Sequence, residues 1–375
     1  MNRHRLTPPA LVNVLTGVTL VRVDQVSSRS RIATTTAHVL RPRARPYFPF
    51  VPRAIIRRPL TVSVYLLAWA VVLALTPILI LPLAVRDIVR GRNWAMVRAL
   101  LMLNLYLGCE AVGIVASFVF WLGQRRSRER YRAQNLWLQS WWARTQFVWG
   151  TRIYAIRTVI EGEEALAPGP LHLFIRHVSV IDNLIPAVTA ENRGLELRWV
   201  LNQSLLKDPC IDIVGQRLRN VFVRGGAQDS EADIARVRGL AAGMGPEDGT
   251  CIYPEGTLFS PEKRLRVIAK LRATADPELV ARAEAMPNVL PLRLGGALAL
   301  IEGAPEADLV FCAHTGLEKA TRRADIALGS FTGTTLRVRF WRISAASVPA
   351  DREGRVRLLL DEWAKVDAFV GAASV

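Results

Sequence analysis

A histidine and a carboxylate lie close together in the middle of this chain, after a short apolar run. His177 and Asp182 follow the segment LHLFI, with four residues between them. Five positions of a regular helix turn the chain by about 500°, so the two side chains meet only if the chain turns between a strand and a helix. A carboxylate that accepts the Nδ1 proton of a histidine leaves Nε2 as a base. The pair therefore predicts general-base chemistry.

A second turn with polar side chains follows a later apolar run. After TCIY come Pro254, Glu255, Gly256 and Thr257, which supply a carboxylate, a flexible glycine and a hydroxyl. In α/β sheets, ligands bind where strands end and helices begin. The two turns together predict one site, although PEGT by itself also suits an ordinary turn.

The elements that must position these residues alternate between β-rich and helical runs after residue 165, which predicts an α/β sheet. We expect strands at 171–175, 197–201, 221–223, 250–253, 289–292, 309–313 and 336–341, and helices at 183–191, 231–244, 276–286 and 355–369. The sequence contains no GxxxxGK[ST] or GxGxxG loop, so folds that bind a nucleotide cofactor lose support.

Two long apolar runs precede the sheet region. Residues 60–85 carry no charge over 26 positions, and residues 99–123 carry only Glu110 over 25. Each run exceeds the roughly 20 residues that cross a bilayer core, so we expect a two-helix membrane hairpin at 60–123. The loop between the runs holds four arginines and one aspartate. A hairpin that dips into one leaflet is therefore an alternative to two full spans.

The charge pattern indicates how the rest of the chain is arranged. The net charge of +17 predicts an anionic partner: a membrane surface, nucleic acid or a phosphorylated substrate. Residues 1–59 contain eleven arginines and one acid and predict a basic, unstructured arm on the cytoplasmic side, with the C-terminal part on the same side. We expect an amphipathic, Trp- and Arg-rich interfacial linker at 124–165 and an α/β domain at 166–375.

With these blocks the sequence resembles the glycerolipid acyltransferases, the membrane-bound 1-acylglycerol-3-phosphate acyltransferases and their lysophospholipid relatives. The family's ordered blocks fall on His177 and Asp182, on Phe222, on residues 253–257 and on residues 289–292. The resemblance covers about residues 147–315. It implies a glycerol-phosphate-acyltransferase-like mixed sheet flanked by helices, preceded by an N-terminal two-helix membrane segment.

The resemblance also implies a reaction. A fatty acyl group would pass from acyl-CoA or acyl-ACP to a lysophospholipid hydroxyl, with 1-acylglycerol-3-phosphate giving phosphatidate. His177 would be the base and Asp182 its orienting partner, with Glu255 in the catalytic set and backbone N–H groups at the start of the next helix stabilising the oxyanion. No cofactor, metal or nucleic acid partner is implied.

The sequence departs from the family's pattern around the acceptor. Arg176 occupies the position of the usual asparagine, Gly225 that of the second-block arginine, and Leu258 that of the arginine after EGT. We therefore expect Arg176 or Arg224 to supply the missing cation, together with Gly256 and Thr257 at the substrate. Three further cations stand shortly after the third block: Lys263, Arg264 and Arg266.

Other functions stay open at this point. The acceptor is a different lysolipid or a glycolipid in one alternative, and in another the chain is an inactive homologue that binds membrane lipid. A metal enzyme would use His172, His177 and Asp182, but the i, i+4 histidine spacing of a zinc helix is absent. A serine hydrolase would need a GxSxG elbow, which the sequence lacks.

Overall fold

The computed structural model describes residues 51–224, 230–321 and 323–372. Three long helices come first: α1 Val51–Val89, α2 Ala95–Gly123 and α3 Arg128–Ile153. Strands and shorter helices follow in the order β1 Arg157–Glu161, β2 Leu171–Ile175, α4 Leu184–Asn192, β3 Glu196–Asn202, α5 Pro209–Gly215, β4 Val221–Val223, α6 Glu231–Ala241, β5 Asp248–Ile252, α7 Pro261–Thr274, α8 Pro277–Glu284, α9 Leu294–Gly303, β6 Asp308–Thr315, α10 Arg323–Leu328, β7 Thr335–Ile343 and α11 Arg352–Ala372.

The strands of the described residues form one seven-stranded sheet in the order β1-β7-β6-β2-β5-β3-β4. All neighbouring strands run parallel except β6 and β7, which are antiparallel. Helices α6, α9 and α11 cover one face of the sheet, and α3 and α4 cover the other. The predicted mixed α/β sheet with flanking helices, preceded by two apolar helices, is therefore confirmed.

Strand β2 lies in the centre of this sheet and ends at the predicted site. All five of its residues are buried, because helices cover both faces of the sheet. It pairs in parallel with β5 on one side and with β6 on the other. The carboxyl ends of parallel neighbours meet at the same edge, so the turns after β2 and β5 are brought together.

Several boundaries differ from the sequence-based expectation. The sheet already includes β1, which precedes the expected domain start at residue 166. This partly exposed strand belongs to the sheet because it pairs in parallel with β7. Helix α1 begins at Val51, inside the predicted arm, and residues 1–50 lie outside the described residues. The predicted strand at 289–292 is wrong: the backbone N–H of Leu290 donates to the carboxylate of Glu255 and not to a neighbouring strand.

The two apolar helices have different surroundings. Both are long and apolar enough to cross a membrane, but no part of the apolar stretch of α1 is buried, whereas 39% of that of α2 is. Helix α2 contacts α1, α3, α5 and α10, and α1 also contacts α5. Helix α3 fills the predicted linker; its Trp142 donates to the buried carboxylate of Glu110 at 2.7 Å, while Trp137 and Trp149 are exposed.

Candidate active site

The turns that follow β2 and β5 are joined directly by their main chains. The backbone N–H of Phe259 donates to the carbonyl oxygen of His177 at 2.7 Å. A second link runs from the backbone N–H of Arg293 to the carbonyl of Pro254 at 2.8 Å, which ties the segment before α9 to the same turn. Three chain segments therefore meet at this edge of the sheet.

His177 and Asp182 are in contact, as their chemistry requires. Nδ1 of His177 lies 2.9 Å from Oδ1 and 3.2 Å from Oδ2 of Asp182. The carboxylate also accepts the backbone N–H groups of Val178 and Ser179, each at 2.8 Å. These bonds close the turn that the five-residue spacing needs. Because Asp182 engages Nδ1, Nε2 is the nitrogen that can accept a proton.

The two members of this dyad differ in exposure and charge. The side chain of Asp182 is fully buried, whereas that of His177 is 18% exposed. Burial raises the pKa of Asp182, but the charge of His177 and the hydrogen bonds to the carboxylate outweigh it, so the pKa lies below its usual range. Asp182 is therefore ionised and able to stabilise an imidazolium at His177.

The same bonds correct the expected oxyanion site. The first two N–H groups after His177 are already used by Asp182, and α4 begins only at Leu184. The N–H groups of Leu184 and Ile185 donate to the carbonyls of Ile181 and Asp182. Because the chain makes a turn before the helix, no N–H group among these is free for a developing oxyanion.

Glu255 holds the main chain of the site. Its Oε1 accepts the backbone N–H of His177 at 3.0 Å, and its Oε2 accepts that of Leu290 at 3.1 Å. Only 2% of Glu255 is exposed. Burial raises its pKa to about 7, although the charge of Arg176 and the two backbone bonds favour the carboxylate. These contacts are those of a positioning residue.

The glycine of the PEGT turn adopts a left-handed conformation beside a cation. Gly256 has φ +68°, and a Cβ on it would lie 2.6 Å from Cδ of Arg293. On the other side, Nζ of Lys263 donates to Oγ1 of Thr257 at 3.1 Å and to the carbonyl of Leu258 at 2.8 Å. Two cations, Lys263 and Arg293, therefore flank the turn.

Arg176 is not brought to a substrate-facing position. Its side chain is 1% exposed, and its guanidinium donates to the carbonyl of His314 at 2.8 Å, to Glu318 at 2.7 Å and to the carbonyl of Asn288 at 3.2 Å. These acceptors already bind the N–H groups of the two terminal nitrogens, which a phosphate would need as donors. The structure therefore gives Arg176 a place behind the His177 turn and leaves it no access to an acceptor.

Arg224 is exposed but distant from the dyad. It follows β4, which β5 and β3 separate from β2. Three strand spacings correspond to about 14 Å. The neighbouring Gly225, which occupies the position of the family's second-block arginine, lies outside the described residues.

His314 is a site residue that the sequence analysis missed. It lies in β6, with Nε2 2.9 Å from the carbonyl of Arg176 and 3.7 Å from Oδ2 of Asp182. Burial lowers its pKa, so it stands as a neutral donor behind the dyad. The rule that ligands gather at strand ends would have found it, since His314 lies near the end of a strand that is next to β2.

No metal centre is visible in the described part of the chain, where no three His, Cys, Asp or Glu side chains cluster as ligands would. The histidine of the metal-enzyme alternative, His172, is buried within the sheet, with Nδ1 2.8 Å from Oγ1 of Thr250 and Nε2 3.1 Å from the carbonyl of Ala304. Burial lowers its pKa to about 4, so it remains a neutral structural residue.

Comparison with known proteins finds a distant structural likeness. No family model matches the chain, and no curated protein matches it. Among solved structures, it is similar to the 1-acyl-sn-glycerophosphate acyltransferase PlsC from Thermotoga maritima, with 14% identity, 78% of this chain and 98% of that chain covered, and a TM-score of 0.49. A likeness this distant does not carry chemistry from one chain to the other.

Proposed function

We propose that this chain is a membrane-bound acyltransferase that moves a fatty acyl group from an acyl thioester to the hydroxyl of a lysophospholipid. The observation that carries the proposal is the contact between partly exposed His177 and buried, ionised Asp182, at an edge where the PEGT turn also lies. The sequence blocks that resemble the glycerolipid acyltransferases fall on the same residues.

The reaction uses one base and no covalent enzyme intermediate. Nε2 of His177 takes the proton of the acceptor hydroxyl as its oxygen attacks the thioester carbonyl. Asp182 holds the imidazole in the tautomer with the proton on Nδ1 and stabilises the imidazolium that forms. The carbon–sulfur bond then breaks, and the thiolate takes the proton from His177. The donor is acyl-CoA or acyl-ACP, and no cofactor is needed.

We assign the acceptor as 1-acylglycerol-3-phosphate, with its phosphate at the PEGT turn. Lys263 and Arg293 flank this turn, and the side chain of Arg293 lies directly against Gly256. Charge-assisted bonds from such cations are the strong contacts available to a phosphate. Arg176, which the sequence suggested for this task, is buried and has both terminal nitrogens bonded to the protein.

The proposal is tested by thiol release from palmitoyl-CoA by the detergent-solubilised full chain. We expect release that depends on lysophosphatidate and is at least about tenfold slower with neutral lysolipids, since loss of a charged contact costs about 1.5–3 kcal/mol. Release with a neutral lysolipid alone would indicate an acyltransferase for another acceptor. No release with any acceptor and either donor would indicate a lipid-binding protein.

A further inference from the structure

The peptide that joins Arg176 to His177 is held on both sides by buried side chains. Its carbonyl oxygen, that of Arg176, accepts a hydrogen bond from Nε2 of His314 at 2.9 Å. Its N–H group, that of His177, donates to Oε1 of Glu255 at 3.0 Å. A trans peptide is planar and points its C=O and N–H in opposite directions, so the two bonds together fix the plane of this peptide. The side chain of the proposed base leaves the main chain at the next atom, the Cα of His177.

The two side chains come from the strands on either side of β2. His314 lies in β6 and Glu255 follows β5, and both strands pair in parallel with β2. Main-chain bonding to β6 extends one residue past the end of β2, from the N–H of Arg176 to the carbonyl of Cys312 at 3.2 Å. At the carbonyl of Arg176 the donor is the imidazole of His314. The side chain therefore continues the pairing at the point where the chain turns toward the dyad.

Arg176 and His314 each bind the main chain of the other. The guanidinium of Arg176 donates to the carbonyl of His314 at 2.8 Å, and the imidazole of His314 donates to the carbonyl of Arg176 at 2.9 Å. The two side chains are 1% and 0% exposed. Because water does not reach these groups, a carbonyl that lost its partner here would stay unpaired.

The imidazole of His314 has its proton on Nε2. A carbonyl oxygen only accepts hydrogen bonds, so Nε2 must be the donor. Nδ1 is buried and has no hydrogen-bond partner within residues 51–224, 230–321 and 323–372, and a proton there would be an unpaired donor. Oδ2 of Asp182 lies 3.7 Å from Nε2, beyond hydrogen-bond distance. The polar contact that His314 supplies to the site is therefore the bond to the carbonyl of Arg176.

The other side of His177 is fixed as well. Its carbonyl accepts the N–H of Phe259 at 2.7 Å, and the ring of Tyr253 packs against the imidazole with the ring centroids 4.2 Å apart. With these contacts in place, a rotation of the preceding peptide changes the direction in which the imidazole leaves the main chain. A misplacement of about 1 Å at a reacting group can lower a rate by about 10²-fold.

We infer that His314 is a positioning residue for His177: its imidazole holds the carbonyl of Arg176 and, together with Glu255, fixes the peptide from which the base projects. The effect on rate rests on the proposed function, in which His177 is the base. The hold on the peptide does not depend on which reaction the chain performs.

Three substitutions in the full chain and one matched control test the inference. His314→Leu removes the donor and keeps an apolar side chain in the buried position. His314→Gln restores an amide N–H at the same number of bonds from Cα as Nε2, whereas the amide of His314→Asn is one carbon shorter. His172→Leu is the control, because His172 is also fully buried and has Nε2 3.1 Å from a carbonyl, that of Ala304. It lies in β2 three residues before the end of the strand, about 10 Å from it.

Thiol release from palmitoyl-CoA is measured with lysophosphatidate, at a temperature below the melting midpoint of every variant. We expect His314→Leu to lower kcat by about 10²-fold with KM unchanged, and His314→Gln to recover at least about tenfold of that loss, since it restores one hydrogen bond. His172→Leu should lower the melting midpoint and leave kcat unchanged. Wild-type kcat in His314→Leu, or an equal loss of kcat in His172→Leu, would overturn the inference. If His314→Leu does not fold, equal kcat in His314→Gln and His314→Asn would overturn it.

Hydrogen–deuterium exchange of the solubilised chains separates this inference from the proposed function. We expect the amides of residues 177–179 to exchange faster in His314→Leu and His314→Asn than in the wild type, and at the wild-type rate in His172→Leu. Unchanged exchange of these amides in both His314 variants would overturn the inference. A wild-type chain that releases no thiol with any acceptor would reject the proposed reaction, and faster exchange limited to the His314 variants would still support the hold on the peptide.

Discussion

Glu255 accepts the backbone N–H of His177, so this buried carboxylate is bonded to the main chain of the proposed base and not to its imidazole. Its other oxygen accepts the N–H of Leu290, which joins the His177 turn to the segment before α9. The glutamate of the PEGT turn thus sets where the histidine lies. The dyad and the turn are one structural unit, although His177 and Glu255 are 78 positions apart in the sequence.

The raised pKa of Glu255 predicts a pH dependence of stability. The ordinary pKa of a glutamate is about 4.5, whereas burial raises the pKa of Glu255 to about 7 in the folded chain. The folded state therefore binds this proton more tightly than the unfolded state, and its contribution to the free energy of unfolding is full below pH 4.5 and is lost as pH rises through 7. The change is on the order of 3 kcal/mol.

Glu255→Gln removes this titrating group. We expect the thermal midpoint of the solubilised variant to vary less between pH 5 and pH 8 than that of the wild type, by differential scanning fluorimetry. Gln cannot accept both backbone N–H groups through one oxygen, so a lower midpoint at pH 5 is also expected. Parallel pH curves for the two proteins would contradict the assignment.

Asp182→Asn tests the orienting role of the carboxylate. The amide keeps the shape of the side chain but removes the charge that stabilises an imidazolium at His177, and it disturbs the turn bonds at Val178 and Ser179. We expect kcat for thiol release to fall by about 10²- to 10⁴-fold with little change in KM for lysophosphatidate. A variant with near wild-type kcat would show that Asp182 serves the turn alone.

Arg176→Met separates a positioning role from a phosphate-binding one. The substitution leaves Glu318 and two carbonyls without their buried donor, and we expect a loss of stability of about 1–3 kcal/mol. Both kcat and the thermal midpoint should fall, while the preference for lysophosphatidate over neutral lysolipids is kept. Arg224→Met, at an exposed position, is the control and should change neither. A selective rise in KM for lysophosphatidate in Arg176→Met would refute the positioning role.

Lys263→Met and Arg293→Met test the phosphate site at the PEGT turn. We expect each to raise KM for lysophosphatidate by about tenfold, since one charge-assisted bond contributes about 1.5 kcal/mol. KM for a neutral lysolipid should not change. Arg266→Met, which alters an exposed cation one turn further along α7, serves as the comparison. Equal effects on charged and neutral acceptors would place the phosphate elsewhere.

The central part of the fold is predictable from sequence because it is apolar. LHLFI and VFV match β2 and β4 at both ends, since turn residues or polar residues bound each run. Strand β1, with the sequence RTVIE, has polar ends and is itself an edge strand, paired only with β7, so no apolar pattern marks it. At 289–292 the residues are apolar, but their position is set by Glu255 and not by strand pairing.

The site is predictable only in part for a related reason. The types and spacing of His177 and Asp182 indicate their contact, because the chemistry requires a turn and the structure supplies one. The direction of a neighbouring side chain is not contained in that pattern. Arg176 lies next to His177 in the sequence, yet it points behind the turn, because Glu318 and the carbonyl of His314 bind it there.

The measurement that tests the account most directly is acyl transfer by His177→Ala compared with the wild type, at saturating palmitoyl-CoA and lysophosphatidate. A circular dichroism melt of both solubilised proteins shows whether the variant is folded. A folded variant whose kcat is lower by about 10²- to 10⁴-fold is the predicted result, because the loss of a positioned base has this effect. A folded variant that keeps full acyl transfer would contradict the assignment of His177 as the base.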